Sequence, residues 1–270
     1  FLESGRYSRY FTAHFATPLI ASVWSCPAPT ALNYPAGYLF RFLDHHGLLG
    51  VTGSPPWRTV IGGSENYVER IAKQLTAVKT SAPVRGVRRF PGGAEITVAT
   101  GEPPQCFDAV VIATHPDQAL NLLVDPTMAE RRVLGAFRYS RNAAVLHTDA
   151  SVLPQNPRAR ASWNYQMRSC TATAGDVRVS YHMNRLQHLP GTEDYLVTLN
   201  ATDQLDPGRV LARMDYAHPV YTPASVGAQR ALPGLNDGTT AYAGAYQGWG
   251  FHEDGCRSGV AAAVSLGSRW

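Results

Sequence analysis

Residues 241–267, AYAGAYQGWGFHEDGCRSGVAAAVSLG, hold the densest set of residues suited to chemistry. The pattern predicts a strand, a glycine-rich turn and then a helix starting near Asp254. That helix carries small residues at Gly255, Ser258, Gly259, Ala261, Ala262 and Ala263. Small side chains let another backbone or a flat molecule approach closely. The first turn of a helix also presents unpaired N–H groups with partial positive charge, a setting for an anion or an electron-rich carbonyl edge. A glycine turn followed by a tightly packed alanine helix with no ligand fits the same residues. His252 sits beside this turn and is the side chain best suited to acid–base work, since its unperturbed pKa is about 6.5. A loop histidine bonded only to a backbone carbonyl is the alternative. Glu253 is expected to cap the helix. Tyr246 and Trp249 either wall a bound ring system or fill a domain junction.

Elsewhere the chemistry is thinner. Cys26, Cys106, Cys170 and Cys256 lie far apart with no metal-ligand spacing, so a metal site is not expected and free thiols in a reducing, cytoplasmic compartment are. His45 and His46 are adjacent on a predicted helix, so their side chains diverge by about 100° and share no metal without a kink. Trp163, Tyr165, Tyr181 and Met183 alternate along predicted strands and either line a substrate cavity or fill the core. A nucleophile elbow with Ser-His-Asp partners is absent from the sequence, which leaves hydrolase chemistry without support.

The elements that position these residues follow from periodicity. Residues 1–50 read as helical and aromatic, with Tyr38, Leu39, Phe42 and Leu43 on one face and Gly47 as the C-terminal cap. The loop TGSPPW precedes RTVIGG, which reads as a strand ending in a glycine turn. SENYVERIAKQLTAV predicts an amphipathic helix capped by Ser64, with Tyr67, Val68, Ile71, Leu75 and Val78 as its apolar stripe. PVRGVRRF and AEITVAT around Pro91-Gly92-Gly93 predict a hairpin. FDAVVIAT is continuously apolar, as a parallel strand buried on both faces requires. HPDQALNLLVD and PTMAERRVLGAF predict two short helices. Between about 138 and 220 the pattern changes to strands, AAVLHTD, ASWNYQM, VRVSYHMN, DYLVTLN and MDYAHPVY, separated by turns such as TATAGD. TTAYAGA then predicts a final strand before the small-residue helix.

With 44% apolar and 16% charged residues, composition is that of an ordinary globular chain. The net charge of +4 is spread over scattered arginines without a basic run, which argues against a nucleic-acid or membrane-surface partner. No apolar stretch reaches the roughly 18–20 residues of a membrane span.

The arrangement Ala-Gly-x-Tyr, Gly-x-Gly, then Glu-Asp-Gly-x-x-Ser-Gly-x-x-Ala-Ala in residues 243–263 resembles the C-terminal flavin-contacting motif of the FAD-dependent amine oxidase-like superfamily. Monoamine oxidases, protoporphyrinogen oxidase and phytoene desaturases belong there. The Gly-Phe-His-Glu-Asp-Gly-x-x-Ser-Gly form resembles a bacterial branch of NAD(P)/FAD-dependent oxidoreductases. WRTVIGGSENYVERIAKQL, APVRGVRR, FDAVVIATHPDQALNLL, SWNY and YHMNRLQ resemble further segments of that branch.

The resemblance implies an α/β fold: a Rossmann-like FAD-binding domain lacking its N-terminal βαβ unit, interleaved with a mixed or antiparallel-sheet substrate domain with helices. It implies residues 55–118 and 236–270 for the first, and 1–54 and 119–235 for the second. It also implies FAD as cofactor. The backbone of Asp254, Gly255 and Cys256 would face the flavin N1/O2 edge, Gly244 and Ala245 would follow the ribityl–pyrophosphate, and the Val84 backbone would pair with adenine. Ala113, Thr114 and His115 would border the cofactor, and Tyr246, Gly250, Phe251, His252 and Glu253 would complete the contacts.

Two departures from the family pattern stand out. Its G-x-G-x-x-G loop, which seats a pyrophosphate, is not in this sequence. The chain is therefore expected to be the C-terminal two-thirds of such an enzyme, or else a remnant that does not hold FAD. The lysine that many amine oxidases place near flavin N5 is also in doubt, because only Lys73 and Lys79 are present, and Lys73 lies off the apolar stripe. The expected reaction is hydride transfer from an organic substrate to the flavin, with a redox-neutral isomerase or mutase as the alternative. The aromatic strands lead to the expectation of an apolar small-molecule substrate, lipid- or polyene-like.

Overall fold

The computed structural model describes residues 1–270 except Val51, Ser54, Trp57, Arg168, residues 170–177, Ala201, Thr202 and Trp270. Cys170, the TATAGD turn, part of the TGSPPW loop and the first residue of VRVSYHMN lie outside the described residues. In chain order, α1 (Arg9–Phe11), a π-helical stretch (Thr12–Ala16), α2 (Thr17–Trp24), α3 (Ala28–Ala31), α4 (Ala36–His45) and α5 (Glu65–Ala72) come first. Strands β1 (Val84–Phe90), β2 (Gly93–Val98), β3 (Gln105–Phe107) and β4 (Val110–Ile112) follow, then α6 (Pro116–Leu122) and α7 (Met128–Leu134). Next come β5 (Arg138–His147), β6 (Trp163–Gln166), β7 (Arg178–His182), α8 (Met183–Gln187), β8 (Leu196–Leu199) and β9 (Val210–Val220). The chain closes with α9 (Pro223–Gln229), β10 (Thr240–Tyr242) and α10 (His252–Ser265). This is the mixed α/β architecture expected, with separate parallel and antiparallel sheets.

Two compact units result, each from two stretches of chain: Phe1–Leu75 with Tyr139–Val220, and Thr76–Arg138 with Tyr221–Trp270. Residues 55–75 thus fall in the first unit, and 119–138 and 221–235 in the second.

The first unit holds a five-stranded sheet in the order β6-β7-β8-β5-β9, in which β6–β7, β7–β8 and β8–β5 pair antiparallel. Helix α2 packs on it: Ala21 is fully buried against Val179, with Tyr165 and Tyr181 beside them. Trp24 at the end of α2 stacks on Tyr34 and meets Phe42, both with ring centroids 5.1 Å away. Helix α4 buries Leu39, Phe42 and Leu43, as its periodicity predicts. Gly47 then takes φ 64° while the Leu48 N–H reaches back to the Leu43 carbonyl at 2.8 Å, so the expected glycine cap is formed.

In the second unit β1, β2 and β3 form an antiparallel sheet, with the Pro91-Gly92-Gly93 turn closing the expected hairpin. Strands β4 and β10 pair in parallel, Val110 with Thr240 through Ile112 with Tyr242. Helix α10 lies against β10, where Ala262 meets Ala241 and Ala243 in a closely packed cluster. The small residues at these positions let helix and strand approach.

Several elements differ from the expectation. RTVIGG forms only a turn; Gly62 and Gly63 have positive φ, but residues 58–60 find no partner strand among the described residues and Ile61 is 92% exposed. Helix α5 ends at Ala72, Ser64 makes no side-chain cap, and none of its residues is buried, so the predicted stripe of Val68, Ile71, Leu75 and Val78 faces outward. FDAVVIAT splits in two: Phe107 ends β3, and only 110–112 join the parallel pair. Val111 is 41% exposed, so β4 is covered on one face rather than both. VRVSYHMN turns helical at Met183, where α8 begins. Helix α10 starts two residues before Asp254.

Among the described residues no helix is long and apolar enough to cross a membrane, and no group of three or more His, Cys, Asp or Glu could hold a metal ion.

Candidate functional site

The parallel pair sets the frame of the site, because open α/β sheets bind ligands beyond the carboxyl ends of their strands. Beyond β4 come Ala113 and Thr114, both exposed, and half-buried His115, which starts α6. Beyond β10 come Ala243 and Gly244. The Ala243 N–H donates to the Ile112 carbonyl at 3.1 Å, which brings the two strand ends side by side. Residues 113–115 and 243–246 are therefore neighbours. Val84 lies in the antiparallel sheet of the same unit, opposite Val98.

From Gly244 the chain makes a 3-10 turn over Ala245–Gln247 and reaches α10 through Gly248-Trp249-Gly250-Phe251. Three ties close this turn and fasten it to the helix. The Gly244 N–H donates to Ser258 Oγ at 2.9 Å. The Gly250 N–H donates to the Ala245 carbonyl at 3.1 Å. The third is the buried carboxylate of Asp254, which accepts the N–H groups of Trp249 at 2.9 Å and Phe251 at 3.1 Å and pairs with Arg257 at 2.9 Å. A Cβ on Gly248 would collide with that carboxylate, and one on Gly244 would collide with the Tyr246 ring. Both glycines are thus dictated by close approach.

The Asp254 side chain is the organiser that the sequence reading missed, having assigned only its backbone a role and given the cap to Glu253. Capping falls to Asp254 because it stands at the third helical position, from which a carboxylate reaches back to the residue before the helix. An acid three residues after Phe251 is the signal that marks it. His252 and Glu253 are exposed on the first turn, and Cys256 is an exposed free thiol on the same turn. Gly255 is half-buried, and a Cβ there would meet only the Ala245 nitrogen, at 4.0 Å. Tyr246 is buried against Phe137, with ring centroids 5.2 Å apart. Burial pushes the pKa of its phenol up to about 12. The exposed start of α10 at His252 and Glu253 and a glycine lacking side-chain neighbours at 255 fit the carbonyl edge of a flat heterocycle.

Strand β10 is fixed from below by a buried ionic cluster. Glu130, at the third position of α7, accepts from the Tyr242 hydroxyl at 2.6 Å, from the Thr127 N–H at 2.7 Å and from both terminal nitrogens of Arg89. Burial opposes ionisation of Glu130, but the bonds from Arg89, Tyr242 and Thr127 outweigh it and hold the carboxyl below the usual carboxylate range. The same burial and the adjoining carboxylate push the Tyr242 phenol well above its ordinary value.

In the first unit, α1–α4 and β6 line an open cavity of about 2040 Å³. Phe11, Phe15, Ile20, Leu39 and Phe40 supply much of its wall. Of the four residues predicted to alternate toward a cavity, Tyr165 lines this one. Tyr181 instead packs under α2 and bonds Ser25 Oγ at 3.1 Å, and Met183 starts α8.

A family model described as flavin containing amine oxidoreductase matches residues 9–160, more than half of the chain. The chain belongs to that family. FAD is the cofactor of flavin containing amine oxidoreductases, which form a superfamily of enzymes. No curated protein matches the sequence. Among solved structures, the fatty acid isomerase from P. acnes that produces CLA is similar, with a TM-score of 0.59 at 14% identity. That likeness covers 99% of this chain and 72% of the isomerase. Cyclohexylamine oxidase from Brevibacterium oxydans IH-35A has a TM-score of 0.59 at 14% identity, over 93% of this chain and 62% of the oxidase. A putative protoporphyrinogen oxidase from Exiguobacterium sp. 255-15 gives 0.53 at 15%, over 93% and 63%. At such identities the likeness is one of fold, and the chain spans less than two-thirds of the length of the latter two.

Proposed function

We propose that the chain is the substrate-binding and flavin-edge part of an FAD-dependent oxidoreductase acting on an apolar organic substrate. When bound, FAD supplies a hydride acceptor at flavin N5, and the protein contributes binding, orientation and electrostatics. The observation that carries this reading is the convergence of Ala113–His115, Gly244–Tyr246 and the first turn of α10 at the carboxyl ends of a parallel strand pair.

In this reading the second unit holds the cofactor. The positive end of α10, at the backbone of Asp254, Gly255 and Cys256, meets the electron-rich carbonyl edge, Gly244 and Ala245 follow the ribityl–pyrophosphate, Gly250 and Phe251 complete the contacts, and Val84 pairs with the adenine. Exposed His252 is the residue available to hold or release a proton at that edge. The first unit binds substrate in its aromatic cavity and excludes water from it.

The test is reconstitution with FAD, followed by visible absorbance and quenching of flavin fluorescence. The native protein is expected to bring up the oxidised-flavin bands near about 375 and 450 nm. Gly255→Val places a branched side chain where only backbone lies nearby. It is expected to weaken FAD binding at least about tenfold, a loss of about 1.4 kcal/mol, while leaving the circular dichroism spectrum unchanged. Equal affinity of the variant, or no flavin uptake by the native protein, overturns the site. The fold shared with the P. acnes isomerase raises a second reading, a redox-neutral isomerase on the same cofactor. Turnover without net consumption of an electron acceptor selects it.

A further inference from the structure

Gln229, the last residue of α9, reaches into the connection between β10 and α10. Its Nε2 donates to the Tyr246 carbonyl at 2.9 Å and to the Gly248 carbonyl at 2.8 Å. A carboxamide nitrogen carries two N–H groups, so one side chain satisfies two carbonyls, and two acceptors facing it fix its orientation. Helix α9 is itself anchored. Thr222 and Ser225 close its start with reciprocal bonds at 2.8 and 3.2 Å, and Ser225 is fully buried.

The peptide joining Gly248 to Trp249 is thereby held at both ends. Its carbonyl accepts from Gln229, and its N–H donates to the Asp254 carboxylate at 2.9 Å. Two side chains from different helices thus set the orientation of one peptide plane. Glycine lacks the Cβ that narrows the backbone choices of other residues, so a peptide beside Gly248 takes its orientation from those partners. The same carboxylate caps α10 through the Phe251 N–H at 3.1 Å. It stands on the helical turn whose backbone, at Asp254, Gly255 and Cys256, forms the positive end of α10.

We infer that Gln229 is a positioning residue for the cofactor edge: it holds the peptide between Gly248 and Trp249 so that Asp254 keeps the start of α10 in place against the flavin carbonyls. The inference rests on the reading of the second unit as the cofactor-binding part. Reduction adds negative charge at the N1/O2 edge of a flavin, so a well-placed helix end holds reduced FAD more tightly than oxidised FAD. Without the two donated bonds the carbonyls turn to solvent, the peptide rotates at Gly248, and Asp254 loses the Trp249 N–H. The reduced cofactor then loses more affinity than the oxidised one.

Two measurements on the purified full chain test this. Amide exchange of Trp249, followed by NMR, needs no cofactor: Gln229→Leu is expected to speed it at least about tenfold with an unchanged circular dichroism spectrum. After reconstitution with FAD, equilibration with a reference dye gives the midpoint potential. Gln229→Leu is expected to lose about tenfold more affinity for reduced than for oxidised FAD, a fall of about 30 mV for the two-electron couple. Gln229→Glu keeps the shape but turns an ionised acceptor toward two carbonyls. Its deficit is expected to shrink as pH falls from about 8 to about 5 and the carboxyl gains a proton to donate. Should Gln229→Leu fail to fold, Gln229→Glu measured against the native protein over that pH range decides alone. A lower urea midpoint with an unchanged potential leaves Gln229 with a part in folding only, and overturns the inference while the cofactor site stands. Unchanged exchange at Trp249 overturns the peptide contact on which it depends. A native protein that takes up no FAD overturns both the inference and the reading of the site.

Discussion

At the scale of single residues, His147 shows how burial sets a protonation state. It is fully buried on β5; its Nδ1 accepts the Asp149 N–H at 3.1 Å and its Nε2 lies 2.7 Å from Thr198 Oγ1. Because Nδ1 accepts from a backbone N–H, the ring proton is on Nε2, and Thr198 in turn meets Ser180 Oγ at 2.8 Å. Protonation would remove the acceptor and bury a charge. Burial accordingly lowers the His147 pKa below its ordinary 6.5, and nearby Asp149 only partly offsets this. Unfolded chains then bind the extra proton first. The stability tied to neutral His147 is complete above about pH 6.5 and is lost as pH falls from there toward the folded pKa. Urea midpoints measured between pH 8 and 5 should decline over the lower half of that range, and His147→Gln should flatten the decline while lowering stability throughout. An unchanged slope in the variant would assign the decline to other groups.

At the scale of elements, the short parallel pair depends on a cluster that lies outside the candidate site. Arg89 from β1, Glu130 from α7 and Tyr242 from β10 join three elements through one carboxylate. Removing that carboxylate leaves a buried phenol without its acceptor and a mostly buried guanidinium with only the exposed Asp125 as partner. Glu130→Ala should therefore cost about 3–5 kcal/mol in equilibrium unfolding, far more than an exposed ion pair such as Lys79–Glu102. A loss below about 1 kcal/mol would show that β10 is held by its hydrophobic contacts alone.

Much of this level was legible in the sequence. Thr127-x-x-Glu130 is a capping box by residue type, and the hairpin, α4, α6 and α7 follow from period and turn residues. The strand expected over RTVIGG was not legible, because an isolated extended run becomes a strand only if another edge bonds to it. The break between β3 and β4 was hidden for the same reason: continuous apolarity does not say which sheet each half joins. Asp254 is the corresponding case in the candidate site, marked only by its position in the helix.

At the scale of the whole molecule, burial departs from what periodicity alone would dictate. Val68 is 54% exposed, and Ile71, Leu75 and Val78 are equally open, so the most regular apolar stripe in the sequence contributes nothing to a core. Replacing Ile71 and Leu75 by glutamate should shift stability by no more than about 0.5 kcal/mol per site. It should also reduce self-association seen by light scattering, since contiguous exposed apolar surface promotes association. A fall in melting temperature of many degrees would mean that the stripe is covered in solution.

The contact between Gly248 and Asp254 reaches beyond this one chain. The space next to residue 248 is already filled by a carboxylate that three other groups depend on. Neither position can drift alone: a side chain at 248 evicts the carboxylate, and losing the carboxylate frees the turn that makes the glycine necessary. Across descendants of this sequence the two should be inherited as a pair, and a lineage that replaces one should carry a rebuilt connection between β10 and α10.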